Sequence, residues 1–197
     1  MGLINRIIKE HIIAVENSIP INSCEIKNIA KSLIEAFDNG NKVLIFGNGG
    51  SAADAQHVSA EFLNRFETER KPLPVIALTT DTSTLTAIGN DYSYTQVFSK
   101  QIQALGRTDD IAIGISTSGT SKNVIMALEE AKKLQMKTIM FRGPIKEYND
   151  TMEMLDHCIS VSSNNTARIQ EVHILVWHII CSIVDKHYEV TIDELIK

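Results

Sequence analysis

Four consecutive apolar residues, Val43-Leu44-Ile45-Phe46, run directly into Gly47-Asn48-Gly49-Gly50-Ser51. A strand without polar alternation needs cover on both faces, which is the situation of a central strand in a parallel sheet. Ser51 and Asp54 form a capping-box pattern, so a helix is predicted to start at Ala52 and run to about Phe66. Such a turn aims unpaired backbone N–H groups and the positive end of a helix at the space above the strand, where an anion can sit.

The same strand-turn-helix plan recurs along the chain. Val75-Ile76-Ala77-Leu78 reads as a second strand, followed by the polar loop 79–83 and a short helix ending near Gly89-Asn90-Asp91. A helix is predicted around Thr95–Leu105, then a strand Ile111–Ile115 that opens onto Ser116-Thr117-Ser118-Gly119-Thr120-Ser121 and a further helix. Thr138–Phe141 and Cys158–Val161 are the fourth and fifth strands, and a nearly all-apolar helix from Thr166 to Tyr188 closes the pattern. Two helices are predicted ahead of the first strand, one over 3–17 and one from Ser23 or Cys24 to Asn39-Gly40. Strands alternating with helices at these lengths predict an α/β three-layer αβα sandwich with a five-stranded parallel sheet, two extra N-terminal helices and a long C-terminal helix. No linker or repeat interrupts it, so residues 1–197 read as one domain, 41–190 being the core and 1–40 serving packing or oligomerisation. An apolar C-terminal helix with two spare helices as partners points to a homo-oligomer.

Composition narrows the function. A net charge of −5 argues against a nucleic-acid surface. It also means that a phosphate ligand must be attracted locally, by helix ends or single cations. Three cysteines without C-x-x-C spacing read as free thiols in a reducing cytoplasm. The N-terminus has no signal-peptide or myristoylation pattern, and no apolar run is expected to span a membrane.

Gly47–Ala52 satisfies G-x-G-x-x-G/A, but the acid expected about 20 residues on is missing, since Asp81 lies well beyond it. The loop Ser116–Ser121 offers hydroxyls and N–H groups at a helix start, more than capping requires, which suits a phosphate monoester. Both loops belong to the carboxyl edge of the sheet, where ligands of open parallel sheets gather. His57 and Glu61, four apart on one helical face, can hold a metal ion, act as an acid–base pair, or form an exposed face with Glu61 paired to Arg65. His178 lies mid-helix among Trp177, Ile179 and Ile180, where an imidazole needs a partner; Glu61 or a shared metal is a candidate.

Gly47–Ala52, His57 with Glu61, Ala87–Tyr92, Ser116–Ser121, and Ala167–His173 followed by His178, in this order, resemble the sugar isomerase (SIS) domain family over nearly the whole chain. The resemblance implies an isomerase that interconverts sedoheptulose 7-phosphate and D-glycero-D-manno-heptose 7-phosphate at the start of heptose supply for lipopolysaccharide or surface glycans. It implies a cytoplasmic homotetramer with one Zn2+ per subunit, held by His57, Glu61, Gln170 and His178. The family's substrate-binding positions fall on Asn48, Gly49, Gly50, Asn90, Asp91, Ser116, Thr117, Ser118 and Ser121; Ser51, Glu61 and Gln170 are further candidate substrate contacts, and the proton transfer that the isomerisation needs assigns Glu61 as base and His178 as acid. Gln170 and His178 are eight residues apart, about 12 Å and roughly 80° on a straight helix, so both reach one ion only with converging side chains or from different subunits. Two positions depart from the family pattern. Phe141-Arg142-Gly143-Pro144-Ile145-Lys146 replaces a glycine-rich loop, and Ala167 replaces an acid. Two other roles exist within the family: a non-catalytic partner of the replication initiator, which shares a run like Arg65–Arg70, and a sugar-phosphate sensor.

Overall fold

The computed structural model of the chain describes residues 2–144 and 153–189. Its centre is a five-stranded, all-parallel sheet in the order β2-β1-β3-β4-β5, built from β1 (Val43–Gly47), β2 (Val75–Ala77), β3 (Ile111–Ser116), β4 (Lys137–Arg142) and β5 (His157–Ser160). Every residue of β1 and β3 is buried, as unbroken apolar runs require. Edge strand β2 lets Ile76 out to 40% exposure. Because the chain steps from β1 outward to β2 and then back across to β3, the strand order reverses between β1 and β3. A crevice opens there at the carboxyl ends of the strands.

Side-chain alternation along β1 divides the core. Val43 and Ile45 face a layer made by α1 (Leu3–Asp38), α2 (Gly50–Leu63) and α6 (Thr166–Tyr188), with Phe62, Phe141 and Trp177 at its centre. Leu44 and Phe46 face the layer of α4 (Ser99–Leu105) and α5 (Lys122–Lys133), with Phe98, Ile102 and Leu128. The short α3 (Thr82–Asp91) and a 3-10 turn (Tyr94–Gln96) lie beside that second layer, and α3 has no buried residue.

The two predicted N-terminal helices are one. α1 runs unbroken for 36 residues, about 54 Å at 1.5 Å per residue, straight through Pro20. Residues 17–22 look like a linker by composition, but their polar side chains are tied to the sheet. The Asn22 amide donates to Ser160 O (2.9 Å) and accepts from Ser160 N (3.3 Å), pairing with β5 as a neighbouring strand would. Ser18 Oγ accepts from Ser162 N at 3.0 Å. Pro20 itself is exposed, as is Glu16, whose carbonyl loses its helical partner to the proline. Farther along, Ser32 Oγ meets His157 Nε2 (3.0 Å), whose Nδ1 meets Glu25 (2.9 Å), fixing the same helix to the start of β5.

α2 starts at Gly50, two residues before the predicted position, and ends at Leu63, before Arg65. Ser51 is therefore inside the helix, and Gly49 takes the N-cap with φ 56° and no side-chain cap. Arg65 pairs with Glu69 (3.6 Å), not with Glu61. α6, against expectation, is long and apolar enough to cross a membrane by length and composition; half of its apolar window is buried in this fold, where it packs on α1 and α2. Ile145 and Lys146 of the altered loop, and the tail after Glu189, lie outside the described residues.

Candidate functional site

The turns that follow β1 and β3 meet across the crevice. Asn48 and Asn123 exchange amide hydrogen bonds: Asn48 Nδ2 donates to Asn123 Oδ1 (2.9 Å), and Asn123 Nδ2 donates back to Asn48 Oδ1 (2.8 Å). The Tyr94 hydroxyl donates to the same Asn48 oxygen at 3.1 Å. This clasp sets the spacing of the two loops. Sequence reasoning missed Asn123 and Tyr94. Asn123 follows Ser121 by two residues and could have been suspected as part of the polar helix start; Tyr94 carries no local signal.

Around the second turn the hydroxyls bond to one another. Ser116 Oγ, buried at the end of β3, lies 2.9 Å from Ser121 Oγ and 3.4 Å from Ser118 Oγ. Ser118 Oγ accepts from Thr120 N at 3.2 Å. Ser121 occupies the N-cap of α5, yet its side chain caps no N–H and turns inward to Ser116 instead. Thr117 contributes its carbonyl, which accepts from Gly143 N (3.0 Å).

In the first turn the Gly50 position is crowded by α6. A Cβ there would lie 2.5 Å from Gln170 Oε1, so only glycine allows the Gln170 amide to sit on the start of α2. Gln170 Nε2 donates to Asp54 Oδ1 at 2.9 Å. Burial raises the Asp54 carboxyl above its ordinary range, against the opposing pull of the Gln170 amide and His57.

One turn further along α2 lies a titratable cluster. His57 Nε2 and His178 Nε2 approach to 2.9 Å, so one nitrogen carries a proton that the other accepts. Glu61 Oε1 lies 3.6 Å from the opposite ring nitrogen, Nδ1, of His57. The Glu61 carboxylate also faces Cys181, whose thiol is pushed up to about 12, first by burial and then by that negative charge. Phe66 stacks on the His178 ring at 5.3 Å between centroids and 26° between planes. Phe66 belongs to the segment after α2, which a buried ion pair holds in place. Arg70 Nε donates to Asp185 Oδ1 (2.6 Å), and Asp185 Oδ2 accepts from the N–H groups of Glu67 and Thr68. The same guanidinium donates to Glu61 O at 2.6 Å, so it also finishes α2 just where Glu61 stands. Phe66, Arg70 and Asp185 are further residues that sequence reasoning missed.

The structure thus gathers His57, Glu61 and His178 in one cluster, and places Asn48, Gly49 and Ser116–Ser121 on the two turns, with Gly50 and Ser51 opening α2. Gln170 lies with Asp54 and Gly50, apart from the imidazole pair. Asn90 and Asp91 end α3, both exposed, with Asn90 Nδ2 donating to Asp91 Oδ1 at 2.8 Å. As a donor set for a cation, two converging imidazole nitrogens and a nearby carboxylate are of the zinc type. Among the described residues, no group of three or more His, Cys, Asp or Glu side chains is arranged around one point.

The model of the SIS domain family matches residues 9–143. A phosphoheptose isomerase of Maridesulfovibrio salexigens is 54% identical over 168 residues, covering 85% of this chain and 81% of its own. Phosphoheptose isomerase 2 of Campylobacter jejuni is 51% identical over 180 residues, with 91% and 87% covered. Among solved structures, the phosphoheptose isomerase of Neisseria gonorrhoeae superposes with a TM-score of 0.85 at 42% identity, covering 94% of this chain and all of its own.

Proposed function

The chain belongs to the SIS domain family, and on that premise we propose that it interconverts sedoheptulose 7-phosphate and D-glycero-D-manno-heptose 7-phosphate by proton transfer through an enediol. The observation that carries this reading is the meeting of Glu61 and His178 around His57 next to two anion-suited turns, in a chain about half identical to isomerases of that name. The relatives carry the name of an enzyme, so the non-catalytic roles known in the family are set aside.

Moving the carbonyl between C1 and C2 requires a base to carry a proton from one carbon to the other, and an acid to move a proton between their oxygens. Glu61 serves as the base. Half-buried and clamped through its own carbonyl by Arg70, its carboxylate stays at one height above the sheet. His178 serves as the acid, its ring plane fixed by Phe66 and its Nε2 sharing a proton with His57. The substrate's phosphate lies over the Ser116–Ser121 turn and the start of α5, where binding energy remote from the reacting carbons orients them. Asn48, held by Asn123, sets the wall between the two ends.

His57 and His178, with Glu61 beside them, would hold a zinc ion, one per subunit; when bound it polarises the sugar oxygens at the reacting carbons. Gln170, which holds the Gly50 turn and Asp54, is the fourth candidate donor to this ion. Through the same Nε2 atom His178 either holds the ion or passes on a proton, and metal removal separates the two roles. A homotetramer is supported by the apolar residues that the N-terminal half of α1 leaves outside, among them Leu3, Ile4, Ile8 and Ile12. The product enters heptose supply for surface glycans, in the cytoplasm.

The test is turnover of sedoheptulose 7-phosphate followed by NMR in D2O, which shows both the aldose and deuterium at the carbon that exchanges. Glu61→Gln is expected to lower kcat by about 10²–10⁴-fold with substrate affinity kept, the range for loss of a general base. Wild-type protein that binds the sugar phosphate without turning it over would refute the assignment.

A further inference from the structure

We propose that Asp54 is a positioning residue that fixes which end of the Gln170 amide faces the crevice. It takes the N–H end and so presents the oxygen, Oε1, to an electron-pair acceptor bound there, a metal ion or a sugar hydroxyl. The proposal deepens the isomerase reading and rests on it for the identity of the ligand. A glutamine amide is nearly symmetric in shape, so packing alone does not choose between its two ends. A carboxylate does choose, because it accepts hydrogen bonds and does not donate them.

Gln170 Nε2 donates to Asp54 Oδ1 at 2.9 Å, joining α6 to the first turns of α2. The amide lies flat on the first residue of α2: a Cβ built on Gly50 would be 2.5 Å from Oε1, 2.7 Å from Nε2 and 2.9 Å from Cδ. Gly50 stands just past the carboxyl end of β1, where the strand order reverses, so the amide borders the crevice. Among the described residues Oε1 receives no hydrogen bond, and Gln170 is only half-buried, so this oxygen is open to a ligand. Asp54 itself is poorly suited to packing alone. It is 5% exposed, burial disfavours its charge, and Oδ2 has no partner among the described residues. A buried carboxylate left half-satisfied contributes little to stability, yet it holds a neighbouring amide in one direction. Asp54 and His57 are three apart on α2, and α6 carries both Gln170 and His178. One pair of helices therefore aims the two imidazoles and this oxygen together.

The experiment is a double-mutant cycle of Asp54→Ala and Gln170→Ala. It reads KM for sedoheptulose 7-phosphate (or, without turnover, its Kd by calorimetry), zinc affinity by chelator competition, and thermal unfolding. Asp54→Ala is expected to raise KM or weaken zinc about ten- to a hundredfold, the range for loss of a group that orients a ligand. The double variant should match Gln170→Ala within about threefold, because Asp54 acts only through that amide. Coupling in the sugar constant with zinc affinity unchanged makes the recipient a sugar hydroxyl, and coupling in zinc affinity makes it the ion; both support the proposal. Effects that multiply, or a Gln170→Ala protein with both constants at wild-type values, overturn it. A loss of thermal stability in Asp54→Ala with both constants unmoved also overturns it, because that is the pattern of a merely structural role. A wild type that binds the sugar without isomerising it refutes the isomerase reading alone, and the cycle in Kd still decides this proposal. A wild type that binds neither sugar nor zinc refutes both. Should Asp54→Ala not fold, Asp54→Leu, which fills the space without a hydrogen bond, decides. A rise of more than about threefold in either constant that vanishes in the Gln170→Ala background supports the role, and no rise, or one that persists there, refutes it.

Discussion

Acidification should unfold this protein partly through one residue outside the candidate site. His173 lies on α6 with no exposed surface, its ring edge-on to Phe141 at 5.7 Å. Its Nε2 donates to Arg142 O, so the neutral ring carries its hydrogen there and leaves Nδ1 as the acceptor. Among the described residues Nδ1 has no partner, and a second proton would put an unpaired charge in the core. Burial accordingly lowers the pKa from 6.5 to about 4, with the Arg142 carbonyl opposing it only in part. The folded-state value lies below the unfolded one, so the unfolded chain takes up this proton first as pH falls. The stabilisation is fully present above pH 6.5, drains between 6.5 and about 4, and changes no further below that. A shift of 6.5 to about 4 corresponds to about 3 kcal/mol at 1.36 kcal/mol per unit, a sizeable share of the 5–15 kcal/mol typical of a domain. Urea unfolding followed by circular dichroism, at fixed pH values from 7.5 to 4.5, measures it against His173→Gln, which can still donate to Arg142 O but does not titrate. Carboxylates such as Asp54 titrate alike in both proteins and cancel in the difference. Wild type should lose about 2–3 kcal/mol more than the variant over that range. Parallel pH dependences would refute the argument.

Two further predictions concern the clamp and the metal. Asp185→Ala leaves the Arg70 guanidinium, whose side chain has 0% exposure, without its ion pair and frees two N–H groups. It should cost about 3–5 kcal/mol in urea unfolding, and kcat should fall as Phe66 loosens from His178; a loss below about 1 kcal/mol would show the pair to be dispensable. Purified wild type should carry about one zinc per chain by elemental analysis, and His57→Ala should lose it, since removing an imidazole leaves too few donors. Equal zinc content in both would move the ion elsewhere.

What could be read in the sequence was whatever local rules decide. The strand at Val43–Phe46, the turn after it, the strand Ile111–Ile115 and the span of the last helix follow from apolar runs broken by glycine and hydroxyl residues, and all lie where they were expected. The exact start of α2 did not, because a Ser-x-x-Asp pattern marks a helix start only when the serine stands at the N-cap, and here Gly49 takes that place. Here Ser51 and Asp54 are both buried, and Asp54 is used to hold Gln170. The break near Pro20 failed for a similar reason. Proline and small polar residues signal a turn when nothing else holds the chain, but Asn22 is bonded to Ser160 of β5 and Ser18 to Ser162 just after it, about 140 residues later, and that pairing outweighs one missing helical hydrogen bond.

The candidate site shows the same division more sharply. Its titratable and anion-suited positions, His57, Glu61, His178 and the two turns, stand out because each is chemically odd for its local element. The residues that aim them do not: Phe66, Arg70, Asp185, Asn123, Tyr94 and Asp54 look like ordinary loop, core or helix-start residues. Each acts across a contact that only the folded topology creates, as Phe66 does on His178 and Asp54 on Gln170. The reversal of strand order between β1 and β3 explains why. It puts the ends of β1 and β3 side by side and lets α6 cross α2, so groups more than a hundred residues apart settle the geometry of a candidate site that two adjacent helical turns had only suggested.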